Sequence, residues 1–231
     1  EHIHLGYYQP NIKKIDFREA KIDFVHKLVS WSGLDKLPRG SRILDVGCGI
    51  GGSSRILANY YGFNVVGITL SSAQVRRARE LTSSDCNCTF RVMNALDMDF
   101  ADGEFDGIWS VEAGAHINNK EKFADEMLRT LRPGGYLAIA DWNSRDLISY
   151  PPSAIEKIVL KQLLEQWVHP EFISISAFHT ILSKNKNSSG NVSSENWNIY
   201  TNPSWYESII EGVRRPKAIL SSGPLGLFKS I

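Results

Sequence analysis

The chain has few cysteines, no long apolar run and almost no net charge, and each of these absences excludes a class of protein. Its three cysteines, Cys48, Cys86 and Cys88, show no metal-ligand spacing, so we expect reduced thiols in a reducing compartment and no metal site. No apolar run reaches the roughly 18–20 residues of a membrane-spanning helix. A net charge of +1 lacks the basic excess of nucleic-acid-binding proteins. The 42% of hydrophobic residues in 231 is typical of a globular protein.

Apolar strands alternate with amphipathic helices along the first 141 residues. Strands are predicted at 42–46, 64–69, 88–93, 105–111 and 136–141, and helices at 16–33, 53–61, 72–83 and 119–131. This alternation predicts an α/β fold: a doubly wound, mostly parallel, Rossmann-like sheet with helices on both faces. The carboxyl ends of the strands then share one edge, where such folds bind ligands.

The pattern changes after residue 141, where Pro151-Pro152 indicates a linker. Later elements are predicted at 154–167 (helix), 184–194 (exposed loop), Val192–Trp197 (strand) and Ser204–Val213 (short helix). The chain therefore divides into a lid and helix (1–34), a ligand-binding core (35–142), and a cap with the C-terminal part of the core (143–231).

Residues 43–52 read Ile-Leu-Asp-Val-Gly-Cys-Gly-Ile-Gly-Gly, which is typical of a strand, a tight loop and a helix start. Glycine tolerates positive φ and allows a ligand to approach the main chain. The following helix offers free N–H groups and a positive dipole end to an anion. Asp45, two residues before Gly47, would repel a pyrophosphate but suits a ligand that carries an amino group.

The glycine loop alone does not identify the ligand, because a G-x-G-x-x-G match at Gly47, Gly49 and Gly52 also suits nicotinamide or flavin. A dinucleotide site needs an acid at the end of the second strand for the ribose hydroxyls. Residues 67–71 contain no acid. A nicotinamide-dependent oxidoreductase or a non-catalytic nucleotide-binding module remains the alternative from another class.

Together with the turn at 132–135, these features resemble the class I S-adenosylmethionine-dependent methyltransferases over residues 41–142. The stretch Gly67-Ile68-Thr69-Leu70-Ser71-x-x-Gln74 is similar to the branch that methylates carbon in lipids. Residues 1–8, 109–116 and 140–143 resemble its tocopherol and plastoquinone members. The resemblance implies methylation of a ring carbon in a prenylated hydroquinone; a sterol or another small lipid is the alternative acceptor.

The resemblance also implies a role for each site residue, with S-adenosylmethionine as the cofactor. The cofactor-binding set is Asp45, Gly47 and Gly49 (methionine end), Thr69, Leu70 and Gln74 (ribose), Asn94, Ala95 and Leu96 (adenine), and Trp109. Tyr7, Tyr8 and Trp142 would cover the sulfonium, since aromatic faces attract cations. The candidate bases for the phenol are, in order, Glu112, His116 and His4.

Plainer roles compete with several of these assignments. Gln74 also fits a capping box with Ser71 as the N-cap. Asn94 also fits a turn, Glu112 a cap or ion pair, and His116 an ordinary loop. A zinc site at His2 and His4 would lack a third ligand.

Three expectations concern the surroundings of the chain. It begins with Glu1 instead of Met, so we expect that a leader or anchor has been removed. The superfamily sheet ends with an antiparallel strand pair, of which one candidate strand is present, so we expect an incomplete C-terminus. A prenylated substrate lies in a bilayer, so we expect a cytoplasmic protein or one in peripheral contact with a photosynthetic membrane.

Overall fold

The computed structural model describes residues 4–9, 16–167, 169–189 and 191–207. Five parallel strands form one sheet in the order β3-β2-β1-β4-β5. The strands are β1 Arg42–Val46, β2 Asn64–Thr69, β3 Cys88–Val92, β4 Phe105–Val111 and β5 Leu131–Ala140. The helices are α1 Phe17–Ser32, α2 Gly52–Asn59, α3 Ser72–Glu80, α4 Lys120–Thr130, α5 Ala154–Trp167, α6 Ile175–Lys184 and α7 Asn198–Thr201. The predicted α/β class is confirmed.

The sheet is covered on both faces because successive residues of its central strands point to opposite sides. Ile43 packs with Leu28 of α1 and Leu57 of α2 in one buried cluster. Leu44, the next residue of β1, packs in a second cluster with Phe123 of α4. Each strand therefore ends at an edge that is framed by helices on both sides.

Short-range signals set the ends of α1 as the sequence predicted. The Asp16 carboxylate accepts a hydrogen bond from the Arg18 N–H at 2.8 Å, and Gly33 ends the helix with φ 80°. A left-handed residue at this position is ordinary for glycine and strained for most others.

The predictions after β5 were less successful. Val192–Trp197 was predicted as a strand, and this is wrong: its described residues form no strand. The Trp197 ring instead packs edge-on against Phe24 and Trp31 of α1, at 5.9 Å from each, so this segment is anchored in the helical layer. Helix α6 was not predicted. Residues 203–207 are helical, and the rest of the predicted helix Ser204–Val213 lies outside the described residues.

Residues 4–9 form a strap that is tied to two other parts of the chain. The Tyr7 N–H donates to the Ala20 carbonyl of α1, and the Tyr8 N–H donates to the Tyr200 carbonyl, both at 2.8 Å. The Gly6 N–H donates to Ser204 Oγ at 2.7 Å. The strap therefore joins α1 to the last described segment.

Candidate active site

The glycine loop after β1 needs glycine for conformation and for space. Gly47 and Gly49 have φ values of 81° and 54°. A Cβ at Gly47 would collide with the Cβ of Ala113, which follows β4. The N–H groups of Gly47 and Cys48 both donate to the Ile68 carbonyl at 2.9 Å, which fixes the loop to β2.

Helix α2 begins without a side-chain cap. It follows Gly51, whereas the N-cap side chains of α1, α3, α4 and α6 each accept a hydrogen bond from the first turn. The first N–H groups of α2 therefore keep their capacity to bind an anion such as a ligand carboxylate.

Asp45 places a buried carboxyl beside this helix start. It is 2% exposed, and its Oδ2 accepts a hydrogen bond from Ser54 Oγ at 2.5 Å. Burial raises the pKa of Asp45 to about 7, while the Ser54 hydroxyl acts in the opposite direction. A ligand ammonium group would stabilise the charged form. The predicted place for the methionine end of S-adenosylmethionine thus fits the chemistry of Asp45 and α2.

At the end of β2, the Gln74 side chain takes a different partner from the one that a capping box requires. Ser71 Oγ accepts from the Gln74 N–H at 3.2 Å, which is half of the box. The Gln74 side-chain oxygen, however, accepts from Thr69 Oγ1 at 2.7 Å instead of reaching the Ser71 N–H. The Gln74 amide nitrogen remains a donor for a ligand hydroxyl, and Leu70 beside it is exposed.

At the end of β3, Asn94 stabilises a turn, which was the alternative to its predicted contact with adenine. Its Oδ1 accepts from the Leu96 N–H at 2.9 Å, and its carbonyl accepts from the Asp97 N–H at 3.1 Å. Asn94 is exposed, and Ala95 and Leu96 are half-buried. The adenine assignment of these three residues stays a prediction.

Trp109 is fully buried in β4, directly opposite Asp45 in the strand register. Its Nε1–H has no hydrogen-bond partner within the described residues. Buried donors of this kind are rare, and a polar ligand group at this edge would satisfy it.

Glu112 follows β4 in a strained conformation. With φ 52°, it is the one non-glycine residue in the described part of the chain that has a positive φ. Its Oε1 accepts from the Leu5 N–H of the strap at 2.9 Å. Burial raises the pKa of Glu112 to about 7, against the hydrogen bonds of Leu5 and Trp142. The strap therefore closes onto the leading candidate base.

An aromatic ladder of His116, His169, Trp142 and Trp205 stands next to Glu112. The rings of His116 and His169 stack at 4.1 Å, and Trp142 lies 5.9 Å from His169 and 5.1 Å from Trp205. His169 has no chemical context in the sequence, so no role was predicted for it. It comes near His116 because its Nδ1 bonds the Ala115 carbonyl at 3.2 Å, a contact across 54 residues of chain.

The remaining predicted residues lie in the strap. The buried His4 ring has Nδ1 2.7 Å from the Leu5 carbonyl and Nε2 3.3 Å from Ser53 Oγ, and burial lowers its pKa to about 4. The Tyr7 ring stacks on Tyr200 at 4.8 Å. Of the three aromatic residues predicted to cover the sulfonium, Trp142 lines a cleft of about 1890 Å³ that follows β5 and also contains Leu5, Glu112 and Asp141. The ten residues predicted to bind the cofactor do not line this cleft.

The chain is similar to known proteins over its whole length. Residues 44–139 match a family described as a methyltransferase domain. The whole chain is 50% identical to 2-methyl-6-phytyl-1,4-hydroquinone methyltransferase from Synechocystis sp. and spans 73% of that protein. Over 89% of the chain, it is 32% identical to the chloroplastic tocopherol O-methyltransferase of Arabidopsis thaliana, and it spans 62% of that protein.

Solved structures show the same fold. A putative sarcosine dimethylglycine methyltransferase from Galdieria sulphuraria aligns with 100% of this chain and 84% of its own, with a TM-score of 0.80 and 22% identity. A geranyl diphosphate C-methyltransferase from Streptomyces coelicolor, solved with Mg²⁺, geranyl diphosphate and S-adenosyl-L-homocysteine, aligns with 90% of this chain and 78% of its own, with a TM-score of 0.70 and 23% identity.

Proposed function

This chain belongs to the S-adenosylmethionine-dependent methyltransferases, and on that premise we propose that it methylates a ring carbon of a prenylated hydroquinone. This choice of acceptor is supported by the 50% identity, over the whole chain, to the Synechocystis enzyme whose name specifies 2-methyl-6-phytyl-1,4-hydroquinone. Bound S-adenosylmethionine supplies an electrophilic methyl group. The residues that would hold it are Asp45, Gly47, Gly49, Thr69, Leu70, Gln74, Asn94, Ala95, Leu96 and Trp109.

Glu112 is the proposed base. A free phenol has a pKa of about 10, so the ring becomes a good carbon nucleophile when a base removes its hydroxyl proton. The raised pKa of Glu112, about 7, matches a base that works near neutral pH. The activated ring carbon would take the methyl group that bound S-adenosylmethionine supplies, which would leave S-adenosylhomocysteine. Glu112 would return the hydroxyl proton to the ring oxygen, take the proton that the methylated carbon releases as aromaticity is restored, and pass that proton to solvent.

The two histidines are weaker candidates for this proton transfer. Both ring nitrogens of His4 have hydrogen-bond partners, and its low pKa makes it a poor proton acceptor. Burial and the stacked His169 lower the pKa of His116. We therefore propose that His116 supports Trp142 through the stacked His169 instead of accepting the proton.

The strap and the aromatic ladder would exclude water from the reaction. Leu5 of the strap and Trp142 of the ladder line the same cleft as Glu112. In-line methyl transfer depends on holding the reacting atoms about 3–3.5 Å apart, which a closed and rigid site favours. Apolar residues along the cleft, such as Phe172 and Phe178, offer a path for the prenyl tail.

We also propose peripheral contact with a photosynthetic membrane, from which a prenylated acceptor would enter. Within the described residues, no helix is both long enough and apolar enough to span a bilayer. Exposed apolar side chains nevertheless concentrate near α5: Ile148 is 95% exposed, Ile155 74% and Ile158 60%. The two lysines and two glutamates of this helix balance in charge, so the apolar side chains support the proposal. Such a surface suits the boundary of a lipid layer.

The test is an assay of the purified chain with labelled S-adenosylmethionine and a panel of phytylquinols, tocopherols and sterols, followed by mapping of the product. We expect a ring C-methyl product from the phytylquinol. In Glu112→Gln, kcat should fall about 100-fold or more, while calorimetry shows unchanged affinity for S-adenosylhomocysteine. A sterol-only product would favour the alternative acceptor. Unchanged turnover in Glu112→Gln would show that another group is the base.

A further inference from the structure

We propose that Asp141 and Lys120 are positioning residues that clamp the turn at residues 112–117 and thereby orient the Glu112 carboxyl. Neither residue has a role that the sequence alone predicts. The inference rests on the proposed function insofar as Glu112 is the base. It deepens that proposal by identifying what holds the base in place.

The turn needs an external clamp because its backbone is strained. Glu112 has φ 52°, a region that non-glycine residues occupy only when the surrounding structure holds them there. The Glu112 N–H donates to the Ala140 carbonyl at 2.8 Å, which ties the start of the turn to the end of β5. On the other side, Ala113 fills the space that a side chain at Gly47 would need. The turn is thus wedged between β5 and the cofactor loop.

Lys120 holds the second half of the turn from the start of α4. It is 7% exposed, and its ammonium group donates to the carbonyls of Gly114 and Ile117. A buried ammonium is costly unless polar or charged groups surround it. The Lys120 charge also interacts with Asp141, so the same ammonium serves the turn and the carboxylate.

Asp141 holds the turn from the end of β5. Its Oδ1 accepts from the Trp142 N–H at 2.9 Å, and its carboxylate also accepts from the Ala115 N–H within the turn. A Cβ at Gly114 would collide with Asp141 Oδ2, so the carboxylate fills the space beneath the turn. The Asp141 side chain therefore connects the turn to Trp142, the residue of the aromatic ladder that directly follows Asp141.

The clamp has an electrostatic consequence that a purely structural contact would not have. The charged groups that act on Glu112 are Asp141 after β5 and Lys21 of α1. The charge of Asp141 in turn interacts with that of Lys120. Lys120 and His169 both lower the pKa of His116. The negative charge of Asp141 helps to raise the pKa of Glu112. Removing that charge should lower the Glu112 pKa.

The experiment compares the full chain with Asp141→Asn, Lys120→Met and Lys120→Arg. Carbon-13 NMR of glutamate-labelled protein follows the Glu112 carboxyl, which Glu112→Gln identifies. In Asp141→Asn, we expect the Glu112 titration and the acidic limb of kcat against pH to move to lower pH. We also expect kcat to fall about tenfold or more because the base is misplaced, with little change in the acceptor KM. Lys120→Met should lower kcat similarly, and Lys120→Arg should restore most of it.

Glu126→Gln is the matched control, since it removes a buried carboxylate of α4 that bonds Arg129 and the Met98 N–H away from the turn. It should leave the Glu112 titration in place. The proposal is overturned if Asp141→Asn leaves the Glu112 titration and kcat unchanged, or if Lys120→Met and Lys120→Arg behave alike. If Asp141→Asn does not fold, the comparison of kcat in Lys120→Met and Lys120→Arg tests the proposal. If the wild-type chain methylates no prenylated hydroquinone, the proposed function fails, whereas the NMR titration still tests the clamp.

Discussion

At the scale of single residues, the candidate site contains three acids, and all are buried in places that disfavour their charge. Asp45, Glu112 and Asp141 lie at or just beyond the carboxyl ends of β1, β4 and β5. Burial is the largest cause of the raised pKa in each, about 7 for Asp45 and Glu112 and about 6 for Asp141. An ammonium and a sulfonium, which S-adenosylmethionine carries, are the kind of partner that offsets this cost.

Asp45 provides the test of cofactor placement. Asp45→Asn keeps the shape of the side chain and an acceptor for Ser54 but removes the charge that would face the ligand ammonium. Affinity for S-adenosylhomocysteine, measured by calorimetry, should fall about tenfold or more, since the loss of one partner of a buried charge pair is expensive. Asp99→Asn, at an exposed position after β3, is the control. Equal affinity in both variants would contradict the placement of the methionine end at Asp45.

The candidate site residues that the sequence predicts are those whose contacts are close in the chain. Asp45, at the end of β1, lies two residues before Gly47 in the loop that follows, and Gln74 lies five residues from its partner Thr69. Lys120, Asp141 and His169 could not be found this way. His169 meets Ala115 across 54 residues, and the Asp141 contact with the turn exists only because β5 pairs with β4.

The same distinction holds at the scale of elements. A helix was predicted over 16–33, and α1 spans Phe17–Ser32 because Asp16 and Gly33 mark its ends by local chemistry. The strand predicted at Val192–Trp197 failed because a strand also needs a partner edge, and aromatic packing on α1 holds Trp197 instead. The capping serine of α6, Ser174, was equally local, but no prediction was made from it.

The apolar surface beside α5 makes the membrane proposal testable at this scale. In Ile148→Ser/Ile155→Ser/Ile158→Ser, co-flotation with vesicles of phosphatidylglycerol and phosphatidylcholine should fall more than about tenfold, since each buried isoleucine contributes about 1.5–3 kcal/mol. Thermal stability should hardly change because these side chains are exposed. Tyr60→Ser/Ile199→Ser removes comparable exposed apolar groups elsewhere and should bind like the wild type. The membrane proposal fails if the wild type does not float, or if the triple variant floats equally well.

At the scale of the whole molecule, the buried acids make the stability of the ligand-free protein depend on pH in an unusual direction. A carboxyl whose pKa is higher in the folded than in the unfolded state destabilises the fold when it is charged. The free energy of unfolding therefore increases as the pH falls below the folded-state pKa. For Asp45 and Glu112 this increase begins near pH 7. His4 has the opposite sign, since its pKa falls from 6.5 to about 4 on folding, and it destabilises only below about pH 6.5. Burial lowers the pKa of Lys21 to about 8, so Lys21 changes the stability mainly above pH 8.

Between pH 8 and pH 6.5 the acids therefore dominate, and the Tm of the protein dialysed free of S-adenosylhomocysteine should rise as the pH is lowered. Asp45→Asn cannot ionise, so its Tm should change less across the same window, and calorimetric scans of both proteins in matched buffers provide the comparison. Saturating S-adenosylhomocysteine should raise the wild-type Tm by mass action, and most where Asp45 is charged. A Tm that falls from pH 8 to pH 6.5, or an equal slope in Asp45→Asn, would mean that these carboxyls are not the groups that link folding to pH.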